Sequence, residues 1–490
     1  MNSSTEIAVV ESEARPETSV KPIAIKPWGA RLIDFVVIPG TLMLLWPAAF
    51  NGCPLWFPDS IDYLATGQTV SRALFMHKFA GYYGMRSLLY SLAIFPLHMD
   101  RTTWPIAVLQ CFLAAWVIWL TVRAVKPLGA VRSYMGLIAV LSLLTSLSWF
   151  AVFIMPDILG PLAYLCLFLV IFAPESLGPI ERLMIYLVAI WGIAAHSSHL
   201  PIGALLCVFF MAFAAIERRH FWMRMAGVGR AVAILAVAAG AQMALHGYLF
   251  GTPTLNHQER PPFFLARIIA DGPGRLYLQQ HCSFAHWTIC RHLNRLTDNS
   301  LNFLWAADGA YQSSTIDEQE SIRREEMPLV LASLRTYPWE ESEKAAANFW
   351  QQLFAFGPDA FRSNKYIVEH LDNTLWSENS SYLCSRQVQN GLRIGVFSLI
   401  QEWTLEASLL TIIVLVWRAR SRISTRLVTL GGTVFCIVLI NAAVTGVLSG
   451  VDDRYGCRVI WLIPMLACLL LGKPGARGEK ALRKREAMEA

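Results

Sequence analysis

The chain has 490 residues, of which 55% are hydrophobic and only 16% are charged, whereas a soluble domain carries about 25% charged residues. Its formal net charge of +6 comes from basic residues in short segments between apolar runs, so nucleic acid is not needed as a partner. A soluble globular fold is therefore excluded. We predict an all-α polytopic membrane protein surrounded by membrane lipids.

The predicted organisation follows the alternation of apolar and polar segments along the chain. A disordered cytoplasmic tail precedes an uncleaved signal-anchor, and a long insert separates two groups of membrane helices. The insert is predicted to be mostly helical and extracytoplasmic. The five parts are a tail at 1–31, an N-terminal membrane domain at 32–249 with a first outer loop at 51–103, the insert at 250–393, C-terminal membrane helices at 394–472, and a basic cytoplasmic tail at 473–490.

Apolar runs long enough to cross a bilayer recur along the chain and predict about ten transmembrane helices. The ten are 32–50, 104–122, 134–150, 158–173, 183–197, 200–216, 228–249, 394–417, 427–449 and 458–472. The run from Leu88 to Leu97 is too short to cross, so we predict an interfacial or re-entrant helix there. In the insert, 318–337 and 338–356 are predicted to be helices.

The distribution of Lys and Arg sets the predicted orientation. With Leu88–Leu97 not crossing, the basic clusters fall on one side, and segments 149–157 and 196–199 on the other side contain no Lys or Arg. The positive-inside rule then places both termini in the cytoplasm of an inner (plasma) membrane protein. If Leu88–Leu97 crossed, every later loop would invert.

Five of the ten cysteines lie in segments predicted to be outside the membrane: Cys53, Cys282, Cys290, Cys384 and Cys457. An oxidising compartment favours a local disulfide between Cys282 and Cys290. The neighbouring histidines at 281, 286 and 292 leave zinc binding as an alternative, although the spacing fits no recognised zinc motif.

Acidic and basic side chains collect at the outer ends of the predicted spans. In the stretch Phe57-Pro58-Asp59-Ser60-Ile61-Asp62-Tyr63, the residues Asp59, Asp62 and Tyr63 share one side of a helical turn. The alternative is that Asp59 only caps a surface helix. The other outer groups are Asp157, His196, His199, Arg454 and Arg458.

Ionisable groups are almost confined to one end of the predicted spans, which disfavours an ion-coupled transporter. The pattern favours chemistry on a substrate with one end in lipid and the other in water. A non-catalytic flippase or assembly partner for a lipid-linked glycan is the alternative from another class, and it would need a continuous hydrophilic path.

The order of these motifs resembles the integral-membrane glycosyltransferases of the GT-C class. A first span is followed by Asp59-Ser60-Ile61-Asp62-Tyr63, a short juxtamembrane helix at Arg86-Ser87-Leu88-Leu89-Tyr90 and a second span, with Pro156-Asp157 and Arg454-Tyr455…Pro464 as later landmarks. The likeness covers most of the membrane part. The chain departs from it where Arg86–Tyr90 replaces a Pro-Pro-Leu-Tyr element and where the insert interrupts the later spans.

The resemblance implies inverting transfer of a sugar from a polyprenyl-phosphate donor to an envelope lipid or glycan acceptor at the extracytoplasmic face. A glycan polymerase or ligase would share this chemistry. Such a reaction needs a carboxylate as base or as ligand of a divalent cation, Mg²⁺ or Mn²⁺. Asp59 is the first candidate and Asp62 the second, with Asp157 as a supporting carboxylate; Asp59 and Asp157 would hold a metal.

The reaction also needs cations for the departing phosphate. We assign Arg454 and Arg458 to this role, with Arg86 behind them, although arginines at a span boundary also snorkel to headgroups or pair with carboxylates. Tyr63, His196 and His199 are further candidates. Capping of the fourth span is an equal alternative for Asp157.

Overall fold

The computed structural model describes residues 35–76, 86–216, 221–256, 260–419 and 423–471. Within these ranges the fold is all-α, and one isolated parallel bridge between Leu55 and Phe153 is the only pairing of extended segments. The predicted tails at 1–31 and 473–490 lie outside the described residues.

The described residues of the N-terminal part form eleven α-helices. In chain order they are α1 (Val37–Leu44), α2 (Trp46–Asn51), α3 (Pro58–Met76), α4 (Leu88–His98), α5 (Trp104–Val125), α6 (Ala130–Leu144), α7 (Leu147–Ala151), α8 (Leu159–Phe172), α9 (Pro179–Ala194), α10 (His199–Ile216) and α11 (Phe221–Phe250). The insert contributes α12 (Phe263–Asp271), α13 (Pro273–His281), α14 (Ser300–Trp305), α15 (Ile316–Thr336), α16 (Pro338–Phe354) and α17 (Lys365–Leu383). The C-terminal part contains α18 (Ile394–Ala419), α19 (Thr425–Leu448), α20 (Asp453–Ile460) and α21 (Leu462–Leu471).

Six helical segments in the described part of the chain are long and apolar enough to cross a membrane: Trp104–Val125, His199–Ile216, Phe221–Phe250, Ile394–Arg418, Thr425–Leu448 and Asp453–Leu471. The other four predicted spans correspond to shorter helices: α1 with α2, α6 with α7, α8, and α9. Over its described ranges the protein is therefore all-helical, with six helical segments of membrane-spanning length.

Three predicted spans are interrupted. The span at 32–50 divides at Leu45, that at 134–150 ends at Leu144 because Thr145 is extended, and that at 458–472 divides at Trp461. Hydroxyl groups compete for carbonyl oxygens at the second break: Thr145 donates to Leu141 O at 2.6 Å and Ser148 to Ser142 O at 2.7 Å. Such local hydrogen bonds offer the backbone an alternative to continued helix. For each of these spans the apolar composition predicted one uninterrupted helix, and that prediction is wrong.

The segment predicted as the outer loop 449–458 is largely helical. Helix α20 begins at Asp453, and the Asp452 carboxylate caps it by accepting a hydrogen bond from Arg454 N at 2.8 Å. Arg454 and Arg458 therefore lie one turn apart on a helix, which fixes their spacing.

Helix α8 forms the centre of the bundle. All fourteen of its residues are buried, and it packs against α5, α9, α11 and α19. A helix that is apolar on every side belongs in the interior of a bundle. The 3-10 turn Pro156–Ile158 leads directly into α8, and its Asp157 is fully buried.

Polar contacts mark two ends of the bundle. At one end the Arg123 guanidinium pairs with Glu181 at 2.6 Å, and Arg426 pairs with Glu175. Nearby, Arg224 donates to the carbonyl oxygens of Ile171 and Phe172 at the end of α8, where a cation is favoured. The candidate site lies at the other end of α8.

The insert is helical within its described residues, and α15 and α16 confirm the two helices predicted at 318–337 and 338–356. Its first half has a small core of its own that includes Leu265, Ile269 and Leu329. A disulfide joins Cys282 to Cys290. Which side of the membrane the insert occupies stays a prediction.

The second half of the insert is anchored to the membrane helices. The buried Glu378 carboxylate accepts hydrogen bonds from Thr103 N at 2.6 Å and from the hydroxyl groups of Thr102 and Thr103 at 2.6 and 2.7 Å, at the start of α5. A carboxylate at a helix N-terminus satisfies free N–H groups and complements the helix dipole. Residues 275 positions apart in the sequence are thus held together at the start of α5.

Candidate functional site

Two extended segments bring two Pro-Asp sequences together. Leu55 N donates to Val152 O at 3.1 Å, and Ile154 N donates to Leu55 O at 2.9 Å. The first segment leads into Pro58-Asp59 at the start of α3, and the second into Pro156-Asp157 before α8. Proline at the first helical position fits each helix start. Both aspartates therefore leave the paired segments in the same direction.

Two buried glutamines hold these segments in place. Gln387 from the insert accepts from Trp56 N at 3.1 Å and donates to Trp56 O at 2.7 Å. Gln110 from α5 donates to Phe153 O at 2.7 Å. Each amide replaces the partner that a neighbouring strand would supply, as buried backbone groups require.

Asp59 lies between two guanidinium groups. The Arg86 Nη2 atom bonds to one of its carboxylate oxygens, and Arg454 Nη1 lies 3.5 Å from the other. Arg86 also reaches Asp62, with Nε 3.3 Å from Oδ2. Tyr366 of the insert places its hydroxyl group 3.5 Å from the remaining oxygen of Asp62. Asp59 and Asp62, predicted in the first loop, and Arg454, predicted near the C-terminus, therefore belong to one cluster.

Arg458 is almost fully enclosed, with 1% of its side chain exposed. It donates to Asn441 Oδ1 from Nε and Nη2 at 3.2 and 2.9 Å, to Ser198 Oγ at 3.0 Å, and to Asp157 Oδ1 at 3.4 Å. Every nitrogen of this guanidinium has a protein partner. The arrangement is that of a structural buried ion pair whose donors are all used.

Arg454 is equally buried but differently bound. Its guanidinium carbon lies 4.4 Å from the Phe57 ring centroid and 5.1 Å from that of Tyr455, positions that favour cation–π attraction. Only 6% of its side chain is exposed. Within the described part of the chain, Nε and Nη1 have no hydrogen-bond partner. Buried N–H groups without a partner are costly, so this arginine has donors to offer a ligand.

The two carboxylates of α3 differ in exposure. The Asp62 side chain is 30% exposed and that of Asp59 is 13% exposed. Burial raises the pKa of Asp62, with the Arg86 charge opposing and the Asp59 charge adding to the shift. Asp62 is therefore the more accessible of the two carboxylates.

Tyr63 completes the inner wall of the cluster, with 2% of its surface exposed. Burial raises the pKa of its phenol well above the ordinary value, and charges from both predicted regions act on it: Arg86 and Asp59 on one side, Asp157 and Arg454 on the other. Its phenol therefore stays protonated, and its ring packs against Tyr90 with centroids 4.9 Å apart.

The two histidines play different parts. His196 Nδ1 accepts from Ser198 N at 3.2 Å and lies 2.9 Å from the Ser198 hydroxyl group. Because Arg458 donates to that hydroxyl oxygen, the serine proton is free to point at His196, which places the imidazole proton on Nε2. His196 thus joins the cluster through Ser198.

His199 is fully buried, and its ring centroid lies 5.3 Å from that of His196. Its Nδ1 atom lies 2.7 Å from Gly192 O, and its ring packs so tightly over Gly160 that a Cβ there would stand 2.7 Å from Nε2. The residue joins α10 to α8 and α9. This geometry is that of a packing residue.

The cluster does not suit the divalent cation that the sequence suggested. Both Asp59 oxygens face guanidinium groups, and one Asp157 oxygen faces Arg458, so a metal there would be repelled by neighbouring positive charge. The described residues contain no group of three or more His, Cys, Asp or Glu side chains placed to hold a metal. We therefore derive no step through a metal ion.

Three residues of the cluster were not predicted: Ser198, Asn441 and Tyr366. Asn441 interrupts the apolar sequence of α19, and a polar residue within such a helix is a signal that sequence inspection could have used. Tyr366 lies 304 residues from its partner Asp62. Only tertiary structure brings those two together.

Comparison of the chain with protein-family models, with curated proteins and with solved structures finds no match.

Proposed function

We propose that the protein transfers a sugar from a polyprenyl-phosphate donor to a hydroxyl group of an envelope lipid or glycan. One observation carries the proposal: three carboxylates and three guanidinium groups from separate parts of the chain lie at one end of apolar helices. They form two ion-pair groups, Arg86 and Arg454 with Asp59 and Asp62, and Arg458 with Asp157, which adjoin through α20 and are together called the network. Charged groups at such a boundary suit a substrate with a lipid tail and a polar head.

We place this network on the extracytoplasmic face. In this arrangement α1 with α2, α6 with α7, α8 and α9 join the six longer helices to give the ten predicted spans. The insert and the network share one side, and the arginines at the opposite end of α8 face the cytoplasm. The contacts of Arg123, Arg224 and Arg426 at that end support this orientation.

In the proposed reaction Arg454 binds the donor phosphate. Its Nε and Nη1 atoms, which have no hydrogen-bond partner among the described residues, supply N–H groups, and a planar guanidinium matches a phosphate geometrically. Arg86 lies on the other side of Asp59 and adds positive charge. Arg458 holds the side chains of Asp157, Ser198 and Asn441 in place, since each of its guanidinium nitrogens already has one of them as a partner.

Asp62 is the proposed general base, in preference to Asp59. It removes the proton of the acceptor hydroxyl group while the acceptor oxygen attacks the anomeric carbon. The bond from that carbon to the phosphate oxygen breaks, polyprenyl phosphate leaves, and attack from the opposite face inverts the configuration. A base with a raised pKa and access to solvent suits this step better than one clamped by two arginines.

The charges of the network support this assignment. The carboxylates of Asp59, Asp62 and Asp157 balance the three arginines. When Asp62 takes the proton, the network gains one positive charge as the departing phosphate gains one negative charge. The negative charge that develops on the leaving phosphate is thus balanced by the positive charge that the network gains beside it.

The test is transfer by the purified protein in nanodiscs, supplied with radiolabelled polyprenyl-phosphate hexoses and pentoses and with a membrane extract as acceptor. We expect one donor to lose its label to a product. Asp62→Asn should lower the rate by at least a hundredfold, within the range of general-base catalysis, with little change in donor binding.

Glu369→Gln, a change in an exposed carboxylate of α17, is the matched control and should leave transfer intact. Retention of full activity by Asp62→Asn would remove Asp62 from the mechanism. Stable label on every donor tested with the unmodified protein would contradict the proposed reaction.

A further inference from the structure

A cavity of about 580 Å³ lies beside the charged network, between the end of α16, the segment after it and the outer part of α18. Its volume is in the range of small-molecule sites. It shares α20 with the network, since Asp453 lines the cavity and is followed directly by Arg454. A molecule in the cavity would therefore sit next to the proposed phosphate-binding arginine.

The insert builds one wall of this cavity. Gln352 forms two hydrogen bonds with the backbone of Asp452, each 2.9 Å long, and Gly357 N donates to Asp453 Oδ1 at 3.0 Å. Gly456 packs so closely beneath Ala355 O that a Cβ at Gly456 would stand 2.0 Å from it. The insert is thus attached directly to the helix that carries Arg454.

Two carboxylates on α18 face this cavity at a depth where charge is costly. Glu402 and Glu406 lie 16 and 12 residues before Arg418, which corresponds to about 24 and about 18 Å along a helix. With Arg418 at the inner boundary, both fall within the hydrocarbon thickness of about 30 Å. Ionisable residues there are expected to line a polar cavity and to serve a function. Both line this one.

The lining also indicates the class of ligand. The side chains of Phe354 and Phe356 line the cavity together with the carboxylates of Glu402, Glu406 and Asp453. Apolar ring faces pack against the C–H surface of a sugar, and carboxylates accept hydrogen bonds from its hydroxyl groups. Arg362 is the one cation of the lining and is already paired with Asp359 at 2.6 Å. The excess of negative charge opposes an anionic ligand.

We propose that this cavity binds the acceptor, and that the acceptor is a neutral, polyhydroxylated molecule such as the end of a glycan. The proposal rests on the proposed function for the word acceptor, but binding itself can be measured without transfer. Under this proposal the function of the insert is to form the wall of the cavity that holds this ligand.

The experiment measures binding of two neutral trisaccharides, maltotriose and mannotriose, to the full-length protein in nanodiscs by saturation-transfer NMR. A second arm replaces them with a diglycosyl diacylglycerol in the nanodisc, read from cross-linking, to distinguish a soluble from a lipid-borne source. We expect binding in at least one arm, and weaker binding of a uronic-acid trisaccharide of the same size.

Two variants test the location. Gly395→Phe adds a ring at the cavity wall, where a Cβ meets no described atom within 4 Å, and the double variant E402Q/E406Q removes the carboxylate charges. Each should weaken binding at least tenfold. Gly240→Phe, at an equally open glycine of α11, is the control and should bind as the unmodified protein does.

Equal binding by all variants, preference for the anionic trisaccharide, or no binding in either arm would each overturn the proposal. Asp62→Asn distinguishes the acceptor-site proposal from the proposed function, because it should abolish transfer and leave saccharide binding unchanged. Failure of the transfer reaction with intact, Gly395-sensitive binding would therefore contradict the proposed function alone.

Discussion

Leu55 and Phe153 pair as parallel neighbours, and each is followed four residues later by an aspartate of the network, Asp59 and Asp157. The two aspartates also follow prolines, so the same short pattern occurs on both segments. A single backbone pairing thus sets the relative position of a carboxylate from the first outer loop and one from the centre of the bundle. The arginines of α20 then bind both.

Gln387 should be important for this pairing. Gln387→Ala removes the amide that bonds to both Trp56 N and Trp56 O, leaving two buried backbone groups unsatisfied. We expect the free energy of unfolding to fall by about 2–6 kcal/mol, at about 1–3 kcal/mol for each of the two backbone groups that lose a partner. Reversible unfolding in mixed micelles measures the change.

The control for this variant is Gln389→Ala, two residues along the chain at an exposed position. It should change stability by less than about 0.5 kcal/mol, as is usual for surface substitutions. Equal effects of the two variants would mean that the Trp56 contact does not hold the segment.

Local sequence predicted much of the helical framework because long apolar runs leave few alternatives. The spans at 104–122, 200–216 and 394–417 appear as α5, α10 and α18 with only small changes at their ends. Apolar composition was a poor guide to interruptions. Thr145 and Ser148 end a helix through hydroxyl–carbonyl bonds, an effect that hydropathy does not register.

The charged residues of the candidate site could be predicted from the sequence, but their hydrogen-bond and ion-pair partners could not. Asp59, Asp157 and Arg454 stood out as charged groups at the ends of apolar runs, where burial without a partner is expensive. Their partners follow from tertiary structure: Asn441 turns toward Arg458, and Tyr366 reaches Asp62 from the insert. The sequence also could not show that Arg458 is saturated while Arg454 keeps free donors.

The disulfide should stabilise the first half of the insert. Cys282 and Cys290 are separated by 8 residues, and the chain-entropy model gives about 2.5 kcal/mol for a loop of this size. The double variant C282S/C290S should lower the unfolding free energy of the insert by roughly this amount, measured by hydrogen exchange of α13 and α15. Cys384→Ser, at an exposed free thiol, should have little effect, and a comparable loss there would contradict the assignment.

Glu341 should make the insert sensitive to pH. Burial raises the pKa of this carboxyl group to about 7 from 4.5; the nearby Asp271 charge adds to the shift, and Arg267 opposes it. Since the folded protein binds this proton more tightly than the unfolded chain, the stabilisation is greatest below about pH 4.5 and is lost as the pH rises through about 7. Asn348 donates to Asp271 at 2.9 Å and completes this group.

Thermal unfolding of the insert between pH 5 and pH 8 tests this sign. The unmodified protein should lose stability as the pH rises, and Glu341→Gln should flatten the dependence and be the more stable protein at pH 8. Glu343→Gln, at an exposed position on the same helix, should keep the original dependence. A stability that rises with pH in the unmodified protein and not in Glu341→Gln would reverse the assignment.

Substitutions of Arg454 and Arg458 should have different effects, on donor binding and on stability respectively, although the two residues lie one turn apart. Arg458→Met leaves the Asp157 carboxylate, which has 0% of its side chain exposed, without its partner, and breaking such a buried pair costs about 3–5 kcal/mol. Unfolding in mixed micelles should show this loss. Combining it with Asp157→Leu should restore much of the stability, because no charge is then left unpaired.

Arg454→Lys keeps a positive charge near Asp59, which is still paired with Arg86, so stability should change by less than about 1 kcal/mol. The planar donors Nε and Nη1 are lost, and a lysine binds a phosphate only as a point charge. We expect the donor KM to rise at least tenfold with a smaller change in kcat, since a contact made to the phosphate before reaction is weakened. The reverse pattern, a folding defect in Arg454→Lys and a pure binding defect in Arg458→Met, would exchange the roles assigned to the two arginines.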